Sequence, residues 1–156
     1  MADESQTVRS GKPLSTPEAI LVATDFSASS ERALETALAW RRHGAEITLL
    51  AVVDVGLVEQ IRASRIALAE EDPTAQMAAD ATRRLAELIA ARGLENVQPM
   101  VVHGHPFVEI VKVANDLDLD LIVIGQRGHA NVEQILFGGT AEKVLRAANR
   151  PVLCVP

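Results

Sequence analysis

The chain has 156 residues, of which 48% are hydrophobic, and its formal net charge is −6 with an isoelectric point near 5.2. This length and apolar content suit one domain with a single core. The acidic balance argues against a nucleic-acid partner, because proteins that bind phosphate backbones normally present a basic face.

Neither a membrane span nor a disulfide framework is indicated by the sequence. No apolar run approaches the roughly 20 residues that cross a bilayer, and the first residues are acidic and polar rather than basic and then apolar. The single cysteine, Cys154, stands in the last apolar run and is predicted to fill the core. We therefore expect a cytoplasmic protein without membrane contact.

The N-terminal segment differs in character from the rest of the chain. Residues 1–17 are polar, contain Ser, Pro and Gly, and lack an apolar period, so they predict a loose tail ahead of one domain over 18–156. An apolar run at 19–23 predicts the first strand. A stripe of apolar residues then predicts a helix over 28–43, with Gly44 as its cap.

The middle of the chain continues this alternation of strands and helices. The run at 47–53 predicts the second strand. Residues 56–72 carry a mixed, charged pattern and predict a mobile or partly helical excursion. Clear helical spacing returns over 75–92, where Gly93 gives the stop signal.

The last third of the chain predicts three further strands separated by helices. A run at 97–102 predicts strand three, and Pro106 marks a helix start, where its missing amide hydrogen costs nothing. The almost wholly apolar run at 119–124 is typical of a strand buried on both faces. A helix over 141–149 and a strand over 152–155 follow. The alternation predicts an α/β, Rossmann-like fold with a five-stranded, mostly parallel open sheet and helices on both faces.

Two glycine turns flank the last strand-to-helix connection. Gly125-Gln-Arg-Gly128 follows the fourth strand, and Gly138-Gly139-Thr140 opens the next helix after nine intervening residues. Glycine permits positive φ and close backbone approach, and the free amides of a helix start favour an anion. Ligands of open α/β sheets bind outside the carboxyl ends of the strands, where both turns fall. The pattern therefore predicts a phosphate cradle.

The spacing GxxG, nine residues, then G resembles the signature of the universal stress protein family, in its ATP-binding branch. The resemblance covers nearly the whole domain, because the runs that begin at Val22, Leu49, Gly104 and Ala141 also match the family in order and spacing. It implies an adenine nucleotide alpha hydrolase-like fold and a regulatory role in the stress response. ATP or another adenine nucleotide is the implied ligand, with Mg²⁺ beside it.

The resemblance also implies roles for individual residues. Asp25 matches the acid that lies by the nucleotide and its metal. Val52 matches the apolar residue beside adenine and Ile124 the residue before the glycine loop, although either can serve packing alone. The loop that wraps the ribose and phosphates is matched by Gly125, Gly128 and Gly138.

One position departs from the family pattern. That pattern has Ser or Thr directly after the third glycine, whereas this chain has Gly139 there and Thr140 one step later. Gly139 still offers its amide, and Thr140 can reach toward a phosphate. An alternative therefore stays open, in which the chain is a dimeric interaction module of the same fold that binds no nucleotide.

Several charged or polar candidates have plainer explanations. Asp25 can cap the first helix or its turn without touching a ligand. His103 and His105 lack a third metal ligand, so a metal site is not expected there. Arg127 and His129 can offset phosphate charge or be solvated, with nothing in the sequence to decide between the two.

No catalytic arrangement stands out in the sequence. A Ser-His-Asp order, an HExxH motif, a Walker lysine motif and paired carboxylates are all missing. The first loop lacks the SGGxDS-type sequence of ATP pyrophosphatases, and strand three ends without a phosphoacceptor aspartate. We therefore expect no enzyme, with ATP hydrolysis at most slow and incidental.

The last strand is expected at a sheet edge. Unpaired edges invite pairing with another chain, and the family resemblance implies the same contact. We therefore predict a homodimer joined through residues 152–155, with nucleotide occupancy modulating the dimer or its choice of partner.

Overall fold

The computed structural model describes residues 16–64, 72–128 and 138–156. The predicted tail over 1–17 falls almost wholly outside these residues. Residues 65–71 and the nine residues that separate the two glycine turns also lie outside them.

The described residues alternate between strands and helices in the predicted order. The strands are β1 (Ala19–Thr24), β2 (Glu46–Asp54), β3 (Val97–Gly104), β4 (Leu121–Gly125) and β5 (Val152–Val155). The helices are α1 (Ala28–Arg41), α2 (Val55–Ser64), α3 (Pro73–Ala91), α4 (Pro106–Asp116) and α5 (Gly139–Ala147). Among these helices, none has the length and apolar character needed to cross a bilayer.

The five strands form one sheet in the order β3-β2-β1-β4-β5, and every neighbouring pair is parallel. The predicted five-stranded parallel sheet is therefore confirmed. The chain builds outward from β1 to β3 and then crosses to β4 on the other side of β1. Such a reversal opens a crevice at the carboxyl ends of the central strands.

Both faces of the sheet are covered by helices, because successive residues of a strand point to opposite faces. One face packs against α1 and α3, and its core includes Ile20, Val22, Leu34 and Leu85. The other packs against α4 and α5, and its core includes Leu21, Ile122, Ile110 and Val144. The central strands are buried on both sides, as the apolar run in β4 predicts.

The segment predicted as a partly helical excursion begins with a regular helix, α2. It buries only Val58, which explains its weak apolar pattern. Arg62 of α2 donates a hydrogen bond of 2.7 Å to Asp72, and Asp72 also accepts from the Thr74 amide to cap α3. The Arg62 guanidinium holds the pKa of Asp72 below its usual value. The end of α2 is thus tied to the start of α3.

The strand β5 forms one edge of the described sheet, and its four residues are all half-buried. Cys154 packs against the core that faces α4 and α5 without being enclosed in it. The prediction of a core-filling cysteine therefore holds only in part, because an edge strand has a neighbour on one side alone. Burial raises the pKa of the Cys154 thiol.

Candidate functional site

A cavity of about 760 Å³ opens at the carboxyl ends of β1, β2 and β4. Its walls come from the β1–α1 connection, the end of β2, α3, the start of α4 and both glycine turns. Every residue predicted for the site lines it, namely Asp25, Val52, Ile124, Gly125, Gly128, Gly138, Gly139 and Thr140. The fold therefore brings the predicted residues together around one space, while their contact with a ligand stays a prediction.

The two glycine turns lie side by side. We call residues 125–128 the first glycine turn and residues 138–140 the second. The Gly138 amide donates a hydrogen bond of 2.7 Å to the Gln126 carbonyl. A Cβ atom on Gly138 would lie 3.3 Å from that carbonyl oxygen and 3.5 Å from the Gly128 nitrogen. Main-chain contacts therefore join the turns directly.

Close approach, rather than backbone conformation, explains the glycines. None of Gly125, Gly128, Gly138 and Gly139 has a φ in the left-handed region. The positive φ that glycine would have permitted is thus not used at these turns. A Cβ atom on Gly128 would lie 2.7 Å from Oδ2 of Asp25, and one on Gly125 would lie 2.6 Å from the Ser29 hydroxyl oxygen. A side chain at either position requires a neighbour to move.

The second glycine turn opens α5 and provides main-chain donors. Gly138 is the residue before the helix and makes no side-chain cap. The first hydrogen bond within the helix joins the Glu142 amide to the Gly138 carbonyl at 3.0 Å. The amides of residues 139–141 precede it and have no acceptor within the helix. Together with the helix dipole they can bind an anion in the cavity.

Asp25 holds the turn before α1 and also lies beside the first glycine turn. Its Oδ1 atom accepts a hydrogen bond of 3.0 Å from the Ser27 amide, while Ser27 is the residue that caps α1. The interpretation of Asp25 as a turn residue is therefore confirmed. Its Oδ2 atom faces Gly128, at the rim of the cavity.

The wall formed by α3 was not predicted from the sequence. Met77, Asp80 and Arg84 of this helix line the cavity, and the Arg84 guanidinium lies 4.0 Å from the ring centroid of Phe26. Phe26 itself has a φ of 63°, which is costly for a bulky side chain. The sequence did offer one signal for this wall, because Asp80 and Arg84 lie four residues apart beside apolar positions of α3. Such acid and base pairs also occur on helix faces exposed to solvent, so the signal does not identify a cavity wall.

Residues 17–156 match the sequence model of the Universal stress protein family. This chain is a member of that family. The predicted resemblance to this family is therefore confirmed, and the match covers all the described strands and helices.

Named relatives support the same assignment. This universal stress protein is 30% identical over 152 residues to universal stress protein MJ0577 of Methanocaldococcus jannaschii, covering 87% of this chain and 93% of the relative. The solved structure of MJ0577 matches with a TM-score of 0.76 over 88% of this chain and 94% of the other.

A third similarity concerns a protein with a bound ligand. The universal stress protein of Archaeoglobus fulgidus was solved in complex with dAMP. It is 26% identical, with a TM-score of 0.60 over 88% of this chain and 97% of that one.

The histidines of this universal stress protein do not form a metal site within the described ranges. His103 and His105 are both exposed, and no group of three or more His, Cys, Asp or Glu residues gathers there. His105 lines a smaller cavity of about 290 Å³ next to the main one, together with Lys143. Arg127 is exposed at the rim of the main cavity, and His129 lies outside the described residues.

Proposed function

We propose that this protein binds ATP or a related adenine nucleotide in the main cavity and acts as a regulatory protein of the stress response, without catalysis as its role. The main support for this proposal is the hydrogen bond from the Gly138 amide to the Gln126 carbonyl, which holds both glycine turns beside the start of α5. The dAMP complex of the Archaeoglobus fulgidus relative supports an adenine nucleotide as the ligand class.

The cavity wall offers surfaces suited to both the base and the phosphates of a nucleotide. Val52 is half-buried and Ile124 is 6% exposed, so both present apolar wall suited to a base. The phosphates would lie against the glycine turns and the first amides of α5. Gly139 provides no hydroxyl, and Thr140, the next residue along the chain, is half-buried in the cavity wall and carries one.

The charges around the cavity favour binding of a cation together with the phosphates of the nucleotide. Its lining contains three carboxylates, of Asp25, Asp54 and Asp80, and two guanidinium groups, of Arg84 and Arg127. A polyphosphate would add several negative charges to this balance. Mg²⁺ commonly binds through one or two carboxylates with phosphates and water completing its shell. Asp25, beside the first glycine turn, is the carboxylate we propose for it.

Nucleotide content is the direct test of the proposed function. Acid extraction of the freshly purified protein, followed by chromatography and mass spectrometry, should release an adenine nucleotide. Calorimetric titration with ATP, ADP, AMP and dAMP should then rank them, with and without Mg²⁺. Asp25→Asn keeps an acceptor for the Ser27 amide and should lower the gain in affinity that Mg²⁺ brings. The proposal would be contradicted if no adenine nucleotide copurified with the protein and none bound in the titrations.

Gly139 favours a second candidate function. In this alternative the protein is an interaction module that keeps the fold and binds partners without a nucleotide. Partner binding that is identical with and without ATP would support it.

In both cases we propose a cytoplasmic homodimer that pairs along β5, because β5 is an edge of the described sheet. Sedimentation at micromolar concentration should show a dimer. Removal of residues 153–156 should abolish the dimer, and a dimer that survives this truncation would contradict pairing along β5.

A further inference from the structure

One buried hydroxyl group, that of Ser29, connects the end of β5 with the first glycine turn. Ser29 lies in the first turn of α1 and is 6% exposed. Its hydroxyl donates a hydrogen bond of 3.1 Å to the Val155 carbonyl and accepts one of 3.3 Å from the Arg127 amide. Three elements that are distant in sequence therefore meet at one oxygen atom.

The same carbonyl also has a direct bond to the first glycine turn. The Gln126 amide donates to the Val155 carbonyl at 2.6 Å. The Gln126 carbonyl in turn accepts from the Gly138 amide at 2.7 Å. Contacts thus run without interruption from the end of β5, through the first glycine turn, to the residue that precedes α5.

Packing around Ser29 leaves little room for these parts to move separately. A Cβ atom on Gly125 would lie 2.6 Å from the Ser29 hydroxyl oxygen and 2.8 Å from the Ser30 nitrogen. Withdrawal of the turn would break the hydrogen bond between the Arg127 amide and the buried Ser29 hydroxyl, and the loss of such a bond is unfavourable. A displacement of the turn is therefore transmitted to α1 and to β5.

We propose that Ser29 is a positioning residue that couples the first glycine turn to β5. A ligand that orders the turn stabilises the end of β5, and a partner that pairs with β5 strengthens binding of the ligand by the same factor, because coupling between two sites is reciprocal. Ser29 does not line the cavity, so it acts on a ligand only through the turn. The part of this inference that concerns a ligand rests on the proposed function.

Hydrogen exchange in the ligand-free protein tests the Ser29 link by itself. Ser29→Ala should accelerate exchange of the Arg127 amide and of the β5 amides by about tenfold while the helical amides keep their protection. Thr36→Ala is the matched control, since that hydroxyl also lies on α1 but bonds the Arg32 carbonyl. Equal exchange in wild type and Ser29→Ala, or a uniform change at every amide, would overturn the proposal.

A second variant approaches the link from the strand. Arg32 is exposed and its side chain donates to the main-chain oxygen of Pro156 at 2.5 Å. Arg32→Met should loosen the end of β5 without touching Ser29 or the turn. Faster exchange at Arg127 is expected in this variant as well. An unchanged Arg127 amide in the presence of a loosened β5 would contradict coupling.

Titration with Mg-ATP tests the effect of a ligand. In wild type, Mg-ATP should slow exchange in β5. Ser29→Ala should lose part of that protection, because only the direct bond between the Gln126 amide and the Val155 carbonyl remains, and it should bind ATP about fivefold more weakly. Binding to wild type without added protection of β5 would overturn the coupling and leave the proposed function intact. Absence of ATP binding to wild type would overturn the proposed function, and the ligand-free experiments would then decide on Ser29 alone.

Discussion

The Oδ2 atom of Asp25 lies only 2.7 Å from the position that a Cβ atom on Gly128 would occupy. The carboxylate and the glycine come from different strand ends, β1 and β4, which are neighbours in the sheet. The rim of the cavity is therefore set by two loops in contact, and a side chain on Gly128 must displace Asp25.

Gly128→Val is expected to abolish nucleotide binding, and Gly128→Ala to weaken it strongly, because each places an atom against the Asp25 carboxylate. Because Gly128 is exposed and the end of the Asp25 side chain can move aside, the free energy of unfolding should fall by only about 0.5 kcal/mol. Calorimetric titration and urea denaturation measure the two effects. Gly139→Ala is the matched control, since its Cβ atom would meet no described atom within 4 Å. Equal binding by Gly128→Val and wild type would contradict this role of the turn.

Gly139→Ser should raise the affinity for Mg-ATP. The substitution restores a hydroxyl at the position where the family pattern has one, and a hydrogen bond to a charged group contributes about 1.5–3 kcal/mol, or roughly tenfold or more in affinity. Titration beside Gly139→Ala separates the hydroxyl from the added carbon. If the two variants bind equally, the hydroxyl has no phosphate within reach.

At position 26, a glycine variant should be more stable than an alanine variant, which is the reverse of the usual order in helices. Phe26→Gly and Phe26→Ala both lose the half-buried ring and its contact with Arg84, but only alanine keeps a Cβ atom at a φ of 63°. Phe26→Gly should therefore be more stable than Phe26→Ala by about 1 kcal/mol. In α1, where φ is helical, Ala39→Gly should lose about 1 kcal/mol instead. Urea denaturation of the variants gives the comparison, and a less stable Phe26→Gly would exclude strain at this position.

Alkylation of Cys154 should report both burial and pairing of β5. Burial raises the pKa of this thiol in the folded protein, so less thiolate is present at a given pH and the rate profile moves to higher pH than in the unfolded chain. Iodoacetamide kinetics in buffer and in urea measure the difference. A β5-paired dimer would slow the reaction further as the protein concentration rises. Identical profiles in buffer and in urea would contradict the effect of burial.

The spacing of apolar residues and glycines was sufficient to predict the fold and the edge of the sheet at which the site lies. Parallel strands end at the same rim, so residues that follow β1 and β4 had to converge, and Asp25 and Gly128 do. The identity of the opposite wall was not predictable in this way. Arg84 reaches Phe26 because α3 packs across the sheet, and no spacing along the chain encodes that contact.

The Ser29 contacts could not be predicted from the sequence, for a related reason. Ser29 and Arg127 are separated by 98 positions, and both belong to residue types that are common on surfaces. Three serines stand at the start of α1, namely the cap residue Ser27 and the helical residues Ser29 and Ser30, and only the tertiary arrangement distinguishes the one whose hydroxyl touches the first glycine turn. For the glycines of the turns, the sequence indicated both positive φ and close approach, and only close approach is observed. Steric crowding depends on neighbours that only the fold supplies.

The central position of β1 makes the chain intolerant of length changes there. Leu21 belongs to the core beneath α4 and α5, whereas Val22, its neighbour, belongs to the core beneath α1 and α3. Inserting a single residue ahead of this pair would exchange the two sides for every following position of the strand. Both hydrophobic interiors would be lost together, and the acid at the strand's end would turn away from the glycines it now meets.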